Sequence, residues 1–500
     1  MSDIRVTYSG LISFAVGIST IITGLFFILI VTRQLTVDEL GTWTLIGGLL
    51  VYVIVIEPII SYWTTREVAR GEETAKTALF TSTTISGFAT IIYLGIVFFL
   101  TFDSEIEKNI LYFGAILIPI TFVNRILLAI NYGSKSYTMS IGILVFEISK
   151  IPFGVLFVYL MKMGVEGAII AITLSYSLSS IFLLIFARNR LKGKVKFSYI
   201  KKWIKLSWIA LVPQISTFLT RLDILIFTII TGGVTGLAYY SVSLSIASLP
   251  IQASGISRAV YPKLLSEEKG SILQENLTRV FYFAIPLTAI SLTFMEPALF
   301  ALNPIYQSIT IVVLLLTIRM SYSSIFSVLH QALLGIENVD KNQNSNFKDY
   351  IKSKLFVIPL ANIIKSGIYI ALLALVFLIF SDDHSDLDLV IFWIIVMLIS
   401  DIPFNAYIFI LTKKNFEIKL DKIPILKYVL TTILVFVPLY FLTEKFLVYK
   451  ESIFDFLPDL IGFVSIGIIS YLGITLMIDS KTKYLLYGII NEMKGKNKKS

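Results

Sequence analysis

Cysteine is absent from the 500 residues, which excludes disulfide frameworks, thiolate metal sites and cysteine nucleophiles together and leaves the redox compartment open. Histidine is nearly absent: the chain has 2, His330 and His384, too few for a histidine-built metal centre. Charge is scarce as well, at 15% of residues, while 56% are hydrophobic and the mean hydropathy is +0.83. No soluble core would hide that much apolar surface, so a lipid bilayer is the expected solvent. Also missing are a Gly-rich phosphate loop, a nucleophile with a base beside it and a cluster of metal ligands. The net charge of +9 does not point to nucleic acid, because the bases cluster between apolar runs in the manner of cytoplasmic loops.

A bilayer core takes roughly 20 apolar residues per helix. That rule predicts spans over 9–32, 40–62, 77–100, 109–130, 139–160 and 165–186, then 207–230, 235–256, 279–301, 306–329, 356–380 and 388–411, and a last pair over 428–443 and 455–478. The class is therefore an all-α polytopic membrane protein with about 14 transmembrane helices. The polar start Met1–Tyr8 precedes an apolar run too long for a signal peptide and without a cleavage site, so the first span is expected to stay.

Lys and Arg concentrate in Trp63–Lys76, Ala187–Leu206, Ser257–Arg279, His330–Leu355, Thr412–Lys427 and the tail from Asp479. The opposite loops hold only Arg33, Lys108, Lys162, Lys445 and Lys450. The positive-inside rule places both termini in the cytoplasm, and no external loop is long enough to fold as a catalytic domain. The expected organisation is an N-lobe over 1–186, a basic cytoplasmic linker over 187–206, a C-lobe over 207–411, a C-terminal helix pair over 412–478 and a basic tail over 479–500. Leu25–Trp43 and Leu222–Tyr240 form a weak internal repeat, each closing an apolar run with a turn, a glycine and aromatics. Six spans return the chain to its starting side, so the two six-helix lobes would be parallel repeats with a substrate cavity between them.

Several pieces carry a family resemblance: Thr32-Arg33-Gln34-Leu35 with Glu39-Leu40-Gly41-Thr42-Trp43, Thr65-Arg66-Glu67-Val68-Ala69-Arg70, Arg221-Leu222-Asp223 with Gly236-Leu237-Ala238-Tyr239-Tyr240-Ser241, and Asn303-Pro304-Ile305-Tyr306. In their order and placement against the spans the chain resembles the polysaccharide transporters, or Wzx-like oligosaccharide flippases, of the multidrug/oligosaccharidyl-lipid/polysaccharide (MOP) exporter superfamily, over roughly residues 5–480. The resemblance implies a flippase, not an enzyme. It would move a polyprenyl-phosphate- or diphosphate-linked oligosaccharide from the inner to the outer leaflet of the plasma membrane by alternating access, for surface polysaccharide or glycoprotein assembly. Expected partners are the lipid-linked oligosaccharide and membrane lipids, with contact to glycan-assembly proteins open and a monomer as the working unit. No cofactor is expected, and coupling to Na+ or H+ is left open.

Five bases remain inside the spans: Arg125, Lys150, Arg221, Arg319 and Lys365. Each costs about 2.5 to 3.5 kcal/mol to insert unless it faces a cavity or a partner. All five are candidate cavity cations for an anionic headgroup, Arg by its planar fork and Lys as a point charge. Arg125 lies within about 10 Å of the cytoplasmic end of its span, where snorkelling is an equal reading. Glu147 and Lys150 are spaced to pair on one helix, whereas Arg221 and Asp223 point to different sides. Asp223, Glu147, Asp401 and Glu57 are charge partners or ion-coupling carboxylates; a structural salt bridge is the leading reading of Glu147 with Lys150, and for Asp401 and Glu57 neither role is favoured. Gln214, Asn362 and Asn405, beside the kink-forming Pro213, Pro359 and Pro403, are candidate polar lining.

Two other functions compete. A multidrug and toxin extruder would share the fold but wants acids in its lumen, and 9–32 contains no carboxylate. A polyprenyl-phosphate-dependent glycosyltransferase or polymerase would need a catalytic centre outside. Its nearest candidate, Ser381-Asp382-Asp383-His384-Ser385-Asp386, also reads as a solvated loop or a divalent-metal site.

Overall fold

The computed structural model describes residues 19–20, 23–102, 107–259, 270–336, 351–416, 421–479 and 483. Its regular structure is helical throughout, with no strand among the described residues. Eleven described helices are long and apolar enough to cross a membrane, or 12 if one bent pair counts as a single span. Exposed Phe88, Ile91, Phe99, Leu378, Ile469 and Met477 line their outer faces, a surface compatible with lipid and not with water. The chain is a multi-pass membrane protein.

Packing divides it into two compact units, Met1–Ala238 with Ile370–Leu389, and Tyr239–Tyr369 with Val390–Ser500. The first unit opens with α1 (Thr23–Gln34), the described part of the expected first span; residues 9–18 lie outside the described residues. Then follow α2 (Val37–Ile54), α3 (Pro58–Ala69), α4 (Ala75–Leu100), α5 (Lys108–Phe113), α6 (Leu117–Ser134), α7 (Ser136–Gly154), α8 (Gly164–Ala187), α9 (Phe197–Lys205) and α10 (Ser207–Thr231). A capping box starts α2: Glu39 N–H donates to Thr36 Oγ1 at 3.2 Å and Thr36 N–H to Glu39 Oε2 at 2.8 Å. The expected span 40–62 is interrupted at Val55–Glu57, where Pro58 takes the first position of a new helix because it has no N–H to give the old one. Pro152 sits inside α7, three residues before a wide π turn over Val155–Leu160. Gly232, at φ +69°, ends α10 by donating its N–H to Thr228 at 3.0 Å. Lobes drawn from membrane topology and units drawn from packing differ at α10, which packs within the first unit.

The unit's core joins Ile60, Ile126, Leu127, Ile130, Leu183 and Trp203. Gly41 is required by close approach: a Cβ there would lie 2.1 Å from the Val234 carbonyl oxygen. That contact explains the glycine of the Glu39–Trp43 segment by packing rather than by chemistry.

The second unit follows from within α11 (Thr235–Ala247) through α12 (Gly270–Thr293), α13 (Met295–Leu302), α14 (Thr310–Gly335), α15 (Lys354–Phe380), α16 (Asp386–Asn415), α17 (Lys422–Phe446) and α18 (Ile453–Ile478), except that the end of α15 and the start of α16, over Ile370–Leu389, belong to the first unit. The expected span 235–256 is not one helix: α11 stops at Ala247 and Pro250 opens a 3₁₀ stretch to Ala259. The expected span 279–301 bends by 64° between α12 and α13. Pro286 lies inside α12, away from the bend, whereas Pro297 lies in the first turn of α13, just past it. Tyr282, Tyr428, Phe436, Phe456 and Tyr471 cluster where α17 and α18 pack on α12. There Tyr471 donates to the Tyr282 carbonyl at 2.9 Å and Tyr428 to Asp479 Oδ2 at 2.9 Å.

Candidate functional site: charged clusters on the membrane helices

In the second unit the structure gathers three of the expected residues on one carboxylate. Arg319 of α14 donates through Nε to Asp401 Oδ2 of α16 at 2.9 Å, and Lys365 of α15 donates through Nζ to Oδ1 at 3.0 Å. Tyr322, one turn beyond Arg319, adds its hydroxyl to Oδ2 at 3.0 Å. The Asp401 side chain is 9% exposed, against 18% for Arg319 and 21% for Lys365. Two cations therefore share one anion, with one positive charge in excess and both cations partly accessible. Arg319 gives Asp401 its inner Nε–H and also hydrogen-bonds the Tyr322 hydroxyl, and a guanidinium carries further donors. The Lys365 ammonium also lies 5.1 Å from the centre of the Phe404 ring, a cation–π contact that helps keep a charge in an apolar setting. The His330 ring meets the same phenylalanine edge-on at 6.4 Å, and its Nε2 is buried without a partner among the described residues.

Among the described residues of the first unit, two of the expected bases have an acidic neighbour within their own unit. Glu147 and Lys150 form an ion pair along α7, and Thr23 donates to Glu147 Oε2 at 2.8 Å. The Lys150 ammonium lies 5.8 Å from the Phe27 ring and 5.6 Å from the Phe146 ring. Glu57, at the break before α3, is 3% exposed; Arg125 approaches its Oε2 at 3.9 Å and Ser61 donates to it at 3.2 Å. The other oxygen, Oε1, is buried with no hydrogen-bond partner among the described residues. Arg125 itself is 47% exposed.

Arg221 stands apart. Its carbonyl accepts the Tyr52 hydroxyl, and its guanidinium makes no ion pair among the described residues. Asp223, two residues on, is buried and accepts from the Ile224 N–H at 2.8 Å. Gln214, Asn362 and Asn405 are half-buried. The acidic loop is used for helix capping: Ser385 donates through Oγ to Asp388 at 2.6 Å, and Asp388 N–H returns to Ser385 Oγ at 3.3 Å. Among the described residues no group of three or more His, Cys, Asp or Glu is placed to hold a metal ion.

Sequence reasoning missed Tyr322, although three residues after Arg319 puts it on the same helix face. It also missed Glu67. Buried at the end of α3, Glu67 accepts Lys202 Nζ at 2.8 Å and Trp203 Nε1 at 3.0 Å from α9, so the basic linker is a docked helix. Its position within Thr65–Arg70, among the residues carrying the family resemblance, was the available signal.

No protein-family model matches the chain, and no curated protein matches it. Solved structures do. The lipid II flippase MurJ in an inward closed conformation aligns with a TM-score of 0.64 at 17% identity, covering 94% of this chain and 98% of that one. An inward-facing multidrug resistance MATE family transporter of the MOP superfamily aligns at 0.58 and 12% identity, covering 81% and 98%. An outward-facing transporter of that family aligns at 0.51 and 14%, covering 82% and 95%. At these identities the likeness is one of fold: the fold seen in that lipid II flippase and in those MATE family transporters.

Proposed function

We propose that this chain flips a polyprenyl-phosphate- or diphosphate-linked oligosaccharide from the inner to the outer leaflet of the plasma membrane by alternating access, as a Wzx-like member of the MOP superfamily. The observation that carries the reading is the Asp401 cluster, with more cation than anion on three membrane helices. Asp401 keeps Arg319 and Lys365 tolerable in a low-dielectric setting when no cargo is present. An arriving phosphate competes for the same donors and offers bidentate acceptors to Arg319. Because the carboxylate returns as competitor, cargo is held weakly enough to leave. Arg221, without an ion pair among the described residues, is a second contact for the headgroup or sugar. Glu57, with one oxygen lacking a donor among the described residues, is the carboxylate assigned to coupling by H+ or Na+. The fold shared with a lipid II flippase supports a lipid-linked cargo.

The test is translocation in liposomes of a fluorescent polyprenyl-diphosphate oligosaccharide, scored by an external sugar-oxidising reagent. Arg319→Ala, Lys365→Ala and Arg221→Ala are expected to insert normally and lose exposure of the sugar. Normal transport by all three refutes the assignment. Drug export, the second reading, draws on the same fold and on the buried Glu57; efflux of organic cations with no sugar exposure would select it.

A further inference from the structure

The linker helix α9 has two chemically different faces. Trp203, 1% exposed, and Lys202 fix one face to Glu67, and Tyr199 donates to Glu72 Oε2 at 2.7 Å. The other face carries Phe197 and Ile204, 70% and 61% exposed, flanked by exposed Lys201 and Lys205 and preceded by exposed Lys192 and Lys194. At about 100° per residue, Phe197, Lys201, Ile204 and Lys205 share one side of the helix. Trp208, at the start of α10, is exposed as well.

This face is not cut off from the lipid-facing surface. The Phe197 ring lies 6.5 Å from that of Phe80, an exposed residue in the first turns of the membrane helix α4. α9 joins the end of α8 to the start of α10, both membrane helices, which sets it at headgroup depth. Exposed aromatic and aliphatic side chains flanked by lysines are the pattern of a helix lying in the membrane interface. Neutral headgroups would leave the lysines uncompensated, whereas anionic ones satisfy them.

We infer that α9 is an interfacial docking surface for anionic phospholipid headgroups, with Phe197 and Ile204 among the upper acyl chains and Lys192, Lys194, Lys201 and Lys205 on the phosphates. Glu67 is the positioning residue that holds this surface against α3. The inference rests on the membrane reading and not on the cargo. It makes the lipid composition of the leaflet that the positive-inside rule places in the cytoplasm an input to the linker.

The native chain has 0 cysteines, so Ile204→Cys gives a single attachment point for an environment-sensitive fluorophore in the full-length protein. In bilayers mixing phosphatidylcholine and phosphatidylglycerol, brominated acyl chains are placed on one lipid at a time. Brominated phosphatidylglycerol is expected to quench in preference to brominated phosphatidylcholine. Each Lys→Gln at 192, 194, 201 or 205 should reduce that preference about fivefold at most, ~1 kcal/mol. Lys202 is left in place to preserve the Glu67 contact. Equal quenching by the two lipids overturns anionic selection. Absence of quenching by either overturns the interfacial placement and means that water or another protein segment covers the face.

Discussion

Replacing Asp401 by Asn keeps the shape of the side chain and removes the one anion shared by Arg319 and Lys365. At about 4 Å and an effective dielectric constant of about 20, each lost attraction is of order 4 kcal/mol before solvation is counted. The two cations remain 18% and 21% exposed, so water recovers part of it, and the net cost is about 3 kcal/mol, the low end for a buried pair broken on one side. Lys365→Ala is milder, about 1 kcal/mol, because Asp401 keeps Arg319 and Tyr322. Combining Lys365→Met with Asp401→Asn removes one charge of each sign and should recover about 1 to 2 kcal/mol of the Asn penalty, a coupling visible in a double-mutant cycle. The assay is reversible unfolding of the purified protein in bicelles by added denaturing detergent. Additive single and double effects, or a Lys365→Ala cost equal to that of Asp401→Asn, would refute the shared-carboxylate argument.

Three further outcomes follow from other parts of the chain. Glu67→Ala leaves the buried Trp203 Nε1 without its acceptor, at about 1 to 3 kcal/mol, and should speed hydrogen exchange of 197–205; unchanged exchange would mean that Glu67 does not hold the linker. Gly41→Ala puts a Cβ 2.1 Å from the Val234 oxygen and should cost about 1 to 3 kcal/mol, with a wild-type unfolding midpoint as the contrary result. The bond to Glu72 pushes the Tyr199 phenol up to about 12; because the folded value is raised above the ordinary one of about 10, this contribution is complete below about pH 10 and is lost as pH rises through about 12. Ultraviolet titration, differenced against Tyr199→Phe, should move down in Glu72→Gln; no movement would contradict the bond.

Helix positions were legible because long apolar runs have no other solution in a bilayer, and Glu147 with Lys150 was legible because their spacing is local. The interruptions at Val55–Glu57 and after Ala247 were less so. Proline marks both in hindsight, but Pro286, Pro359, Pro403 and Pro438 sit inside helices that continue, so proline alone does not predict a break. The Asp401 cluster was legible only in its parts. Arg319 is 82 residues and Lys365 36 residues from Asp401, and a single sequence carries no sign of which helix faces meet. For the same reason Asp401 and Glu57 looked equivalent, although one is surrounded by donors and the other has an oxygen with none among the described residues.

The most direct measurement of the central claim is exposure of a fluorescent polyprenyl-diphosphate oligosaccharide on the outer leaflet of liposomes containing the wild-type protein, with imposed proton and sodium gradients. The account predicts protein-dependent exposure that disappears in an Arg319→Gln, Lys365→Gln double variant still folded in the membrane. No exposure with several glycans under either gradient would contradict it.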